Sequence, residues 1–234
     1  MDSLEGRISP RLCTWSFKEQ ALSLASGAGD QVSDIARLSG AANLVLFDSD
    51  GSVRVDNTDG EGLLYAFARQ APSLNLTSAL VVILGAGGAA RGAAAALILA
   101  GVPRVHIVNR TLEKAQSIAS TIGPKVQAFD LAQAEAAFDG VGAVINATSL
   151  GLGGGEGPAV PWQSVSEGTV FMDMVYKPLE TDFLAKAKAR GHHVVDGLDM
   201  LIGQARPSFE AFYGAPPPAS VDVRALALAQ LTAA

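Results

Sequence analysis

Residues 81–95, VVILGAGGAARGAAA, constrain the fold of this chain more than any other stretch. An apolar run, a glycine turn and an alanine-rich run predict a buried β-strand, a tight bend and an α-helix. Gly85 permits the bend, Gly87 and Gly88 leave room for phosphate oxygens near the backbone, and Ala90 lets the helix pack closely. Free amides and the positive dipole end of the helix favour an anion there. The pattern predicts a nucleotide pyrophosphate site, but a glycine turn between any buried strand and helix gives the same pattern.

Apolar strands alternate with amphipathic helices after this turn. The alternation predicts six strands, counting the one before Gly85, with the others at residues 105–108, near 126, 143–147, 170–176 and 193–195. Helices are predicted at residues 112–122, from about 131, and at 181–190. Right-handed crossovers turn such an alternation into a doubly wound parallel sheet. The sequence therefore predicts an α/β, Rossmann-like fold, with residues 151–161 as a mobile loop beside the cofactor.

Composition excludes several classes of protein. A hydrophobic share of 49% and a charged share of 17% are typical of a soluble globular chain. A net charge of −6 without a basic patch argues against nucleic-acid binding. Cys13 is the single cysteine, so we expect no disulfide, no metal site and a cytoplasmic location. The opening MDSLEGRIS lacks the apolar core of a signal peptide, and glycines divide the apolar residues 79–102, so no membrane span is expected.

The chain about twenty residues past the glycine turn indicates which dinucleotide binds. NAD sites usually have Asp or Glu there, to accept a hydrogen bond from the ribose hydroxyl. Here Asn109, Arg110 and Thr111 follow the second strand, and Lys114 comes one turn later. A guanidinium and a hydroxyl can bind a 2′-phosphate that a carboxylate would repel. The sequence favours NADP, the alternative being that Arg110 is a solvated surface charge.

A second polar segment, VDNTDG at residues 55–60, follows the strand-like NLVLF. Asn, Thr, Asp and Gly are common both in polar hairpins and at helix caps, so composition alone favours a structural role.

Eight segments in order along the chain together resemble the shikimate dehydrogenases of aromatic amino-acid biosynthesis. They are FKEQALSLA, SGAANLVLF, VDNTDGEGLL, LGAGGAARG, VNRT, INATSLG, MDMVY and DGLDMLIGQARPSFEAFYG. The resemblance implies reversible, NADP-dependent reduction of 3-dehydroshikimate to shikimate, on the chorismate pathway. The implied partners are NADP and a small-molecule substrate, and the chain is expected to be a monomer or a homodimer.

The resemblance also implies roles for individual residues. Lys18 and Asp59 match the catalytic pair, and a lysine beside a carboxylate suits proton transfer at a hydroxyl being oxidised. The implied substrate-binding residues are Thr14, Asn43, Asp59, Tyr176 and Gln204. The implied cofactor-binding residues are Gly85, Ala86, Gly87, Gly88, Ala89, Asn109, Arg110, Thr111, Lys114, Asn146, Thr148, Val175, Gly197 and Met200.

The chain departs from the family pattern before Asp59. Family members begin with an α/β substrate domain whose SxSxxxH element binds the shikimate carboxylate, and most of that domain has no counterpart here. We therefore expect a remnant of it at residues 1–60, with helices of residues 205–234 packing back on it, and an NADP-binding domain at residues 61–204. Ser16 and Phe17 stand where the family has Pro and His.

These departures leave three functions open. The chain is a working shikimate dehydrogenase, a non-catalytic or weakly active NADP-binding remnant that lacks the carboxylate anchor, or a quinate or aminoshikimate dehydrogenase. Losing the anchor would remove substrate positioning, so weak turnover is expected.

Overall fold

The computed structural model describes residues 11–12 and 17–233, so Thr14 lies outside the described residues. The first part of the chain forms a small mixed sheet with flanking helices. Its elements are β1 (Arg11–Leu12), α1 (Lys18–Ser23), β2 (Gln31–Val32), α2 (Asp34–Ser39), β3 (Leu44–Phe47), β4 (Val53–Asp56) and α3 (Asp59–Gln70). The strand order is β1-β3-β4-β2. β3 pairs antiparallel with β1 and β4, and β2 runs parallel to β4.

The rest of the chain forms a larger sheet covered by helices. Its elements are β5 (Leu80–Leu84), α4 (Gly88–Leu99), β6 (Arg104–Val108), α5 (Leu112–Ile122), β7 (Val126–Phe129), α6 (Ala134–Ala137), β8 (Val141–Asn146), β9 (Val170–Asp173), α7 (Asp182–Lys188), β10 (His193–Val195), α8 (Gly197–Tyr213) and α9 (Val223–Ala233). Six strands lie in the order β10-β9-β8-β5-β6-β7, and all their pairings are parallel. The predicted doubly wound α/β fold is therefore confirmed.

One predicted strand, residues 170–176, ends earlier than the sequence suggests. After Asp173 the amide of Val175 donates to the Asp173 carboxylate at 2.9 Å rather than to a neighbouring strand. This local side-chain bond turns the chain out of the sheet, as short polar side chains do at turns.

Gly85 directly follows β5, at a position that strongly favours glycine. Its φ is +104°, and an added methyl group would lie 2.9 Å from the methyl carbon of Thr148. All five residues of β5 are buried, so the turn is fixed to the centre of the sheet. The strand–turn–helix predicted from residues 81–95 is present.

Helices α3 and α8 cross so closely that the residues at the contact, Gly62 and Gly203, have no room for a side chain. A methyl group added to Gly62 would overlap the carbonyl oxygen of Met200 and lie 2.9 Å from Cβ of Gln204. A methyl group added to Gly203 would lie 2.7 Å from Cβ of Tyr65. The crossing fixes the start of α3, where Asp59 lies, relative to α8.

Arg224 connects helix α9 to the start of α8. Arg224 forms a two-point ion pair with Asp196, at 2.5 and 3.0 Å, and a further one with Asp199 at 3.0 Å. Gln70 of α3 donates to the same Asp199 at 2.9 Å.

The predicted division of the chain into two domains at residue 60 stays a prediction, and helix α3 crosses that position. Within the described part of the chain, no helix is long and apolar enough to cross a membrane.

The α3–α8 crossing makes a testable prediction. Gly62→Ala should destabilise the protein by about 1–3 kcal/mol, because overpacking outweighs the gain in helix propensity. Urea unfolding measures the change. Gly92→Ala in α4 is the matched control, since an added methyl group there meets nothing within 4 Å. Equal stability of the two variants would contradict the close crossing.

Candidate active site

Lys18 and Asp59 form an ion pair between two helix starts. Lys18 Nζ lies 2.5 Å from Asp59 Oδ2, and the two side chains are 22% and 19% exposed. The carbonyl oxygen of Lys18 accepts from the amide of Ala42 at 2.8 Å, which ties α1 to the loop before β3. The structure thus brings together the two residues predicted to be catalytic, across 41 positions of sequence.

Asn43 holds Asp59 from its other side. Its amide nitrogen donates to Asp59 Oδ1 at 2.9 Å and to Thr58 Oγ1 at 3.1 Å. Its oxygen accepts from the backbone amide of Thr58 at 2.9 Å. Asn43 is only 6% exposed, so its amide is committed to the protein rather than free for a ligand. In this structure the residue orients Asp59.

Residues 55–60 join β4 directly to α3, so the segment forms a helix start and not a hairpin. Asn57 accepts from the amide of Asp59 at 3.1 Å and donates to Ser39 Oγ and the carbonyl oxygen of Ala41 at 3.0 Å each. These bonds fix the backbone from which the Asp59 carboxylate projects.

Two further residues that were predicted to bind substrate keep unpaired polar groups. Gln204 is partly buried beside the start of α3, and Tyr176 is 40% exposed. Within residues 17–233, neither the Gln204 amide nor the Tyr176 hydroxyl has a hydrogen-bond partner. Both groups remain available to a ligand.

The glycine turn fits a bound pyrophosphate. Gly87 has φ of −92°, which any residue can adopt, and methyl groups added to Gly87 or Gly88 would meet nothing within 4 Å. The protein therefore does not itself require glycine there, and the open space is what a phosphate close to the amides needs. Ala89 is exposed beside them, Ala86 is half-buried, and the first turn of α4 has no acidic residue.

The end of β6 fits a 2′-phosphate. Arg110, Thr111 and Lys114 are exposed, and Arg110 has no ion pair among the residues that the structure describes. Asn109 donates to the carbonyl oxygen of Thr111 at 2.8 Å, which shapes this turn. No carboxylate occurs between β6 and the first residue of α5.

Asn146 ends β8 beside this edge but is fully buried. Its amide nitrogen donates to the carbonyl oxygen of Leu150 at 3.1 Å and to Asp173 Oδ1 at 2.9 Å. Its oxygen accepts from the amide of Thr148 at 3.0 Å and from the Thr148 hydroxyl at 2.7 Å. In this structure Asn146 shapes the loop after β8, since its amide offers no free group to a cofactor.

The remaining predicted cofactor residues lie after β9 and β10. Val175 and Met200 are each 8% exposed. A methyl group added to Gly197 would lie 2.9 Å from three carbonyl oxygens, those of residues 173–175. The carboxyl ends of parallel strands share one edge of a sheet, and the strand order reverses between β5 and β8. Dinucleotides bind at such a point.

One residue at this edge was missed by the sequence analysis. Asp173 is fully buried, and burial raises the pKa of its carboxyl group, opposed by hydrogen bonds from Thr181, Val175 and Asn146. A carboxylate inside the otherwise apolar stretch FMDMV was the signal that could have revealed it.

The sequence comparisons relate this chain to shikimate dehydrogenases. The family model for shikimate/quinate 5-dehydrogenase matches residues 66–151. The NADP(+) shikimate dehydrogenase of Caulobacter vibrioides is 56% identical over 215 residues, which cover 92% of this chain and 74% of that protein.

Solved structures agree with the sequence comparison. Shikimate 5-dehydrogenase from Thermus thermophilus, in complex with NADP(H) and shikimate, superimposes with a TM-score of 0.74 at 34% identity, covering 89% of this chain and 74% of that one. Quinate dehydrogenase from Corynebacterium glutamicum, in complex with NAD, gives a TM-score of 0.79 at 30% identity over the same shares. With this fold, this site and relatives of this similarity, the chain belongs to the shikimate dehydrogenase family.

Proposed function

We propose that this protein is an NADP-dependent shikimate dehydrogenase, which interconverts 3-dehydroshikimate and shikimate. The observation that carries the proposal is the Lys18–Asp59 ion pair, oriented by Asn43 in a member of this family. The 56% identity to a shikimate dehydrogenase (NADP(+)) supports the choice of substrate.

NADPH, when bound, supplies the hydride for the carbonyl carbon. The carbonyl oxygen must gain a proton in that direction, and the hydroxyl must lose one in the other. Lys18 Nζ is the group that holds this proton at the substrate oxygen. Asp59 holds the Nζ group at 2.5 Å, while Asn43 keeps the carboxylate in place. The Gln204 amide and the Tyr176 hydroxyl bind further polar groups of the substrate.

Arg110, Thr111 and Lys114 select NADP over NAD. Their exposed donors at the end of β6 suit a dianionic 2′-phosphate, to which charge-assisted hydrogen bonds are strong. The open amides of Gly87 and Gly88 hold the pyrophosphate. Weak turnover, a cytoplasmic location, and a monomeric or dimeric state stay predictions.

Quinate is the alternative substrate, because the Corynebacterium glutamicum quinate dehydrogenase has a similar fold. That enzyme was solved with NAD, whereas the three residues between β6 and α5 of this chain include Arg110 and no carboxylate. Glu113 and Lys114 follow in the first turn of α5. The basic residue at this position and the 56% identity to the NADP(+) shikimate dehydrogenase of Caulobacter vibrioides together favour the shikimate reaction.

Lys18→Ala should lower kcat for shikimate oxidation by about 10²–10⁴-fold, because the substrate oxygen loses the side chain that, with Asp59, exchanges its proton. NADPH formation with purified protein, shikimate and NADP⁺ measures the rate, and quinate is assayed in parallel. Lys188→Ala removes an exposed lysine paired with Glu180 at 2.7 Å and should leave the rate unchanged. Full activity of Lys18→Ala would contradict the role of Lys18. An unmutated chain that binds NADPH but is inactive would favour the non-catalytic alternative. Faster turnover of quinate than of shikimate would favour a quinate dehydrogenase.

Arg110→Ala should weaken NADPH binding by about 10–100-fold and leave NADH binding unchanged, since one charge-assisted contact to the 2′-phosphate is lost. Calorimetric titration of both cofactors measures the preference. Arg104→Ala, at the opposite end of β6, is the matched control and should leave both affinities unchanged. Equal affinity of the unmutated protein for the two cofactors would refute the assignment.

A further inference from the structure

Asp173 occupies an unusual position for a carboxylate. It is fully buried at the end of β9, next to the apolar Met172, and it forms no ion pair with any residue in the described ranges. Burying a carboxylate without a cation is costly unless hydrogen bonds compensate. Three donors do so here: the Asn146 side chain and the Val175 amide at 2.9 Å each, and the Thr181 hydroxyl at 2.6 Å.

Each of these donors fixes a different stretch of chain. Asn146 controls the loop after β8 through Thr148 and Leu150. Val175 precedes the exposed Tyr176, and Thr181 caps α7 by accepting from the amide of Leu184 at 3.3 Å. Asp173 therefore joins three segments beyond the last paired residues of β8 and β9.

Backbone contacts reinforce this junction. The amide of Met174 donates to the carbonyl oxygen of Asn146 at 3.0 Å. The amide of Gly153 donates to the carbonyl oxygen of Lys177 at 3.1 Å. Gly197, the first residue of α8, packs directly on the carbonyl oxygens of residues 173–175. The start of α8 is thus set by the same point as the loops after β8 and β9.

The segments meeting at Asp173 carry Tyr176, which is predicted to bind the substrate, and five residues predicted to bind the cofactor, namely Asn146, Thr148, Val175, Gly197 and Met200. Because hydride passes from the nicotinamide to the substrate, the part of the cofactor beside the substrate residue is its nicotinamide end. The glycine turn follows β5 and Arg110 follows β6, and neither has a hydrogen bond to Asp173 among the described residues. The glycine turn meets the loop after β8 only by packing, where Thr148 lies beside Gly85. The hydrogen bonds of Asp173 therefore act directly on the loops after β8 and β9 and on the start of α7, and not on the glycine turn or Arg110.

We propose that Asp173 is a positioning residue for the nicotinamide end of the cofactor site, an inference that rests on the proposed function. Its carboxylate sets the loops after β8 and β9 and the start of α8 in one arrangement. Hydride transfer depends steeply on such placement, whereas binding of the adenine end depends on β5 and β6. Loss of the carboxylate should therefore lower kcat more than affinity for the adenine half.

Asp173→Ala and Asp173→Asn test the proposal. The alanine variant leaves three donors unpaired, while asparagine keeps the shape and one accepting oxygen, so it should retain an intermediate rate. We expect kcat to fall by about 10–100-fold in Asp173→Ala. The emission of bound NADPH, which reports the surroundings of its nicotinamide, should move toward that of the free cofactor. Affinity for adenosine 2′,5′-bisphosphate, which lacks nicotinamide, should not change.

Thr169→Val is the matched control at the opposite end of β9. Thr169 is 1% exposed, and its hydroxyl donates to the carbonyl oxygens of Val141 and Ser166 at 3.0 and 2.8 Å. This variant should lower the unfolding temperature without changing kcat or the emission of bound NADPH.

Unchanged NADPH emission and kcat in Asp173→Ala would overturn the proposal. A loss of adenosine 2′,5′-bisphosphate affinity as large as the loss of kcat would also overturn it, since such a loss indicates general damage to the fold. If Asp173→Ala does not fold, the same three measurements on Asp173→Asn decide. A lack of shikimate turnover by the unmutated chain would count against the proposed function alone, because the emission measurement does not need turnover.

Discussion

The close crossing of α3 and α8 is the constraint on which the site depends. Gly62 and Gly203 remove the side chains that would separate the helices, so the start of α3 is held against α8. Asp59 then lies at a fixed place beside the helix that carries Gln204. The opposite end of α3 is held as well, because Gln70 donates to Asp199 of α8 at 2.9 Å.

Two buried asparagines use the same physical device at the two sides of the site. The side-chain amide of Asn43 donates hydrogen bonds to Asp59 and Thr58, and that of Asn146 donates to Asp173 and Leu150. A buried amide with every hydrogen bond satisfied is rigid, because breaking any one bond leaves a costly unpaired group. The substrate side and the nicotinamide side are thus supported by separate networks.

The sequence alone predicted the sheet, because strand and helix periodicity and the turn at Gly85 are local signals. Lys18 and Asp59 could be paired only through the family resemblance, since they lie 41 positions apart in the sequence. Motif position places Asn43 and Asn146 near the site, but their hydrogen-bond partners come from elsewhere in the fold, so their burial could not be predicted. Asp173 escaped for the same reason, because its partner Asn146 lies 27 positions away.

The most direct measurement is a double-mutant cycle on Lys18 and Asp59. The quantity compared is kcat/KM for shikimate oxidation by NADP⁺ in Lys18→Met, Asp59→Asn and the double variant. If the two side chains act as one unit, the double variant will be no slower than the slower single variant. Losses that multiply in the double variant would show that the ion pair does not act as a unit, and would contradict the proposed site.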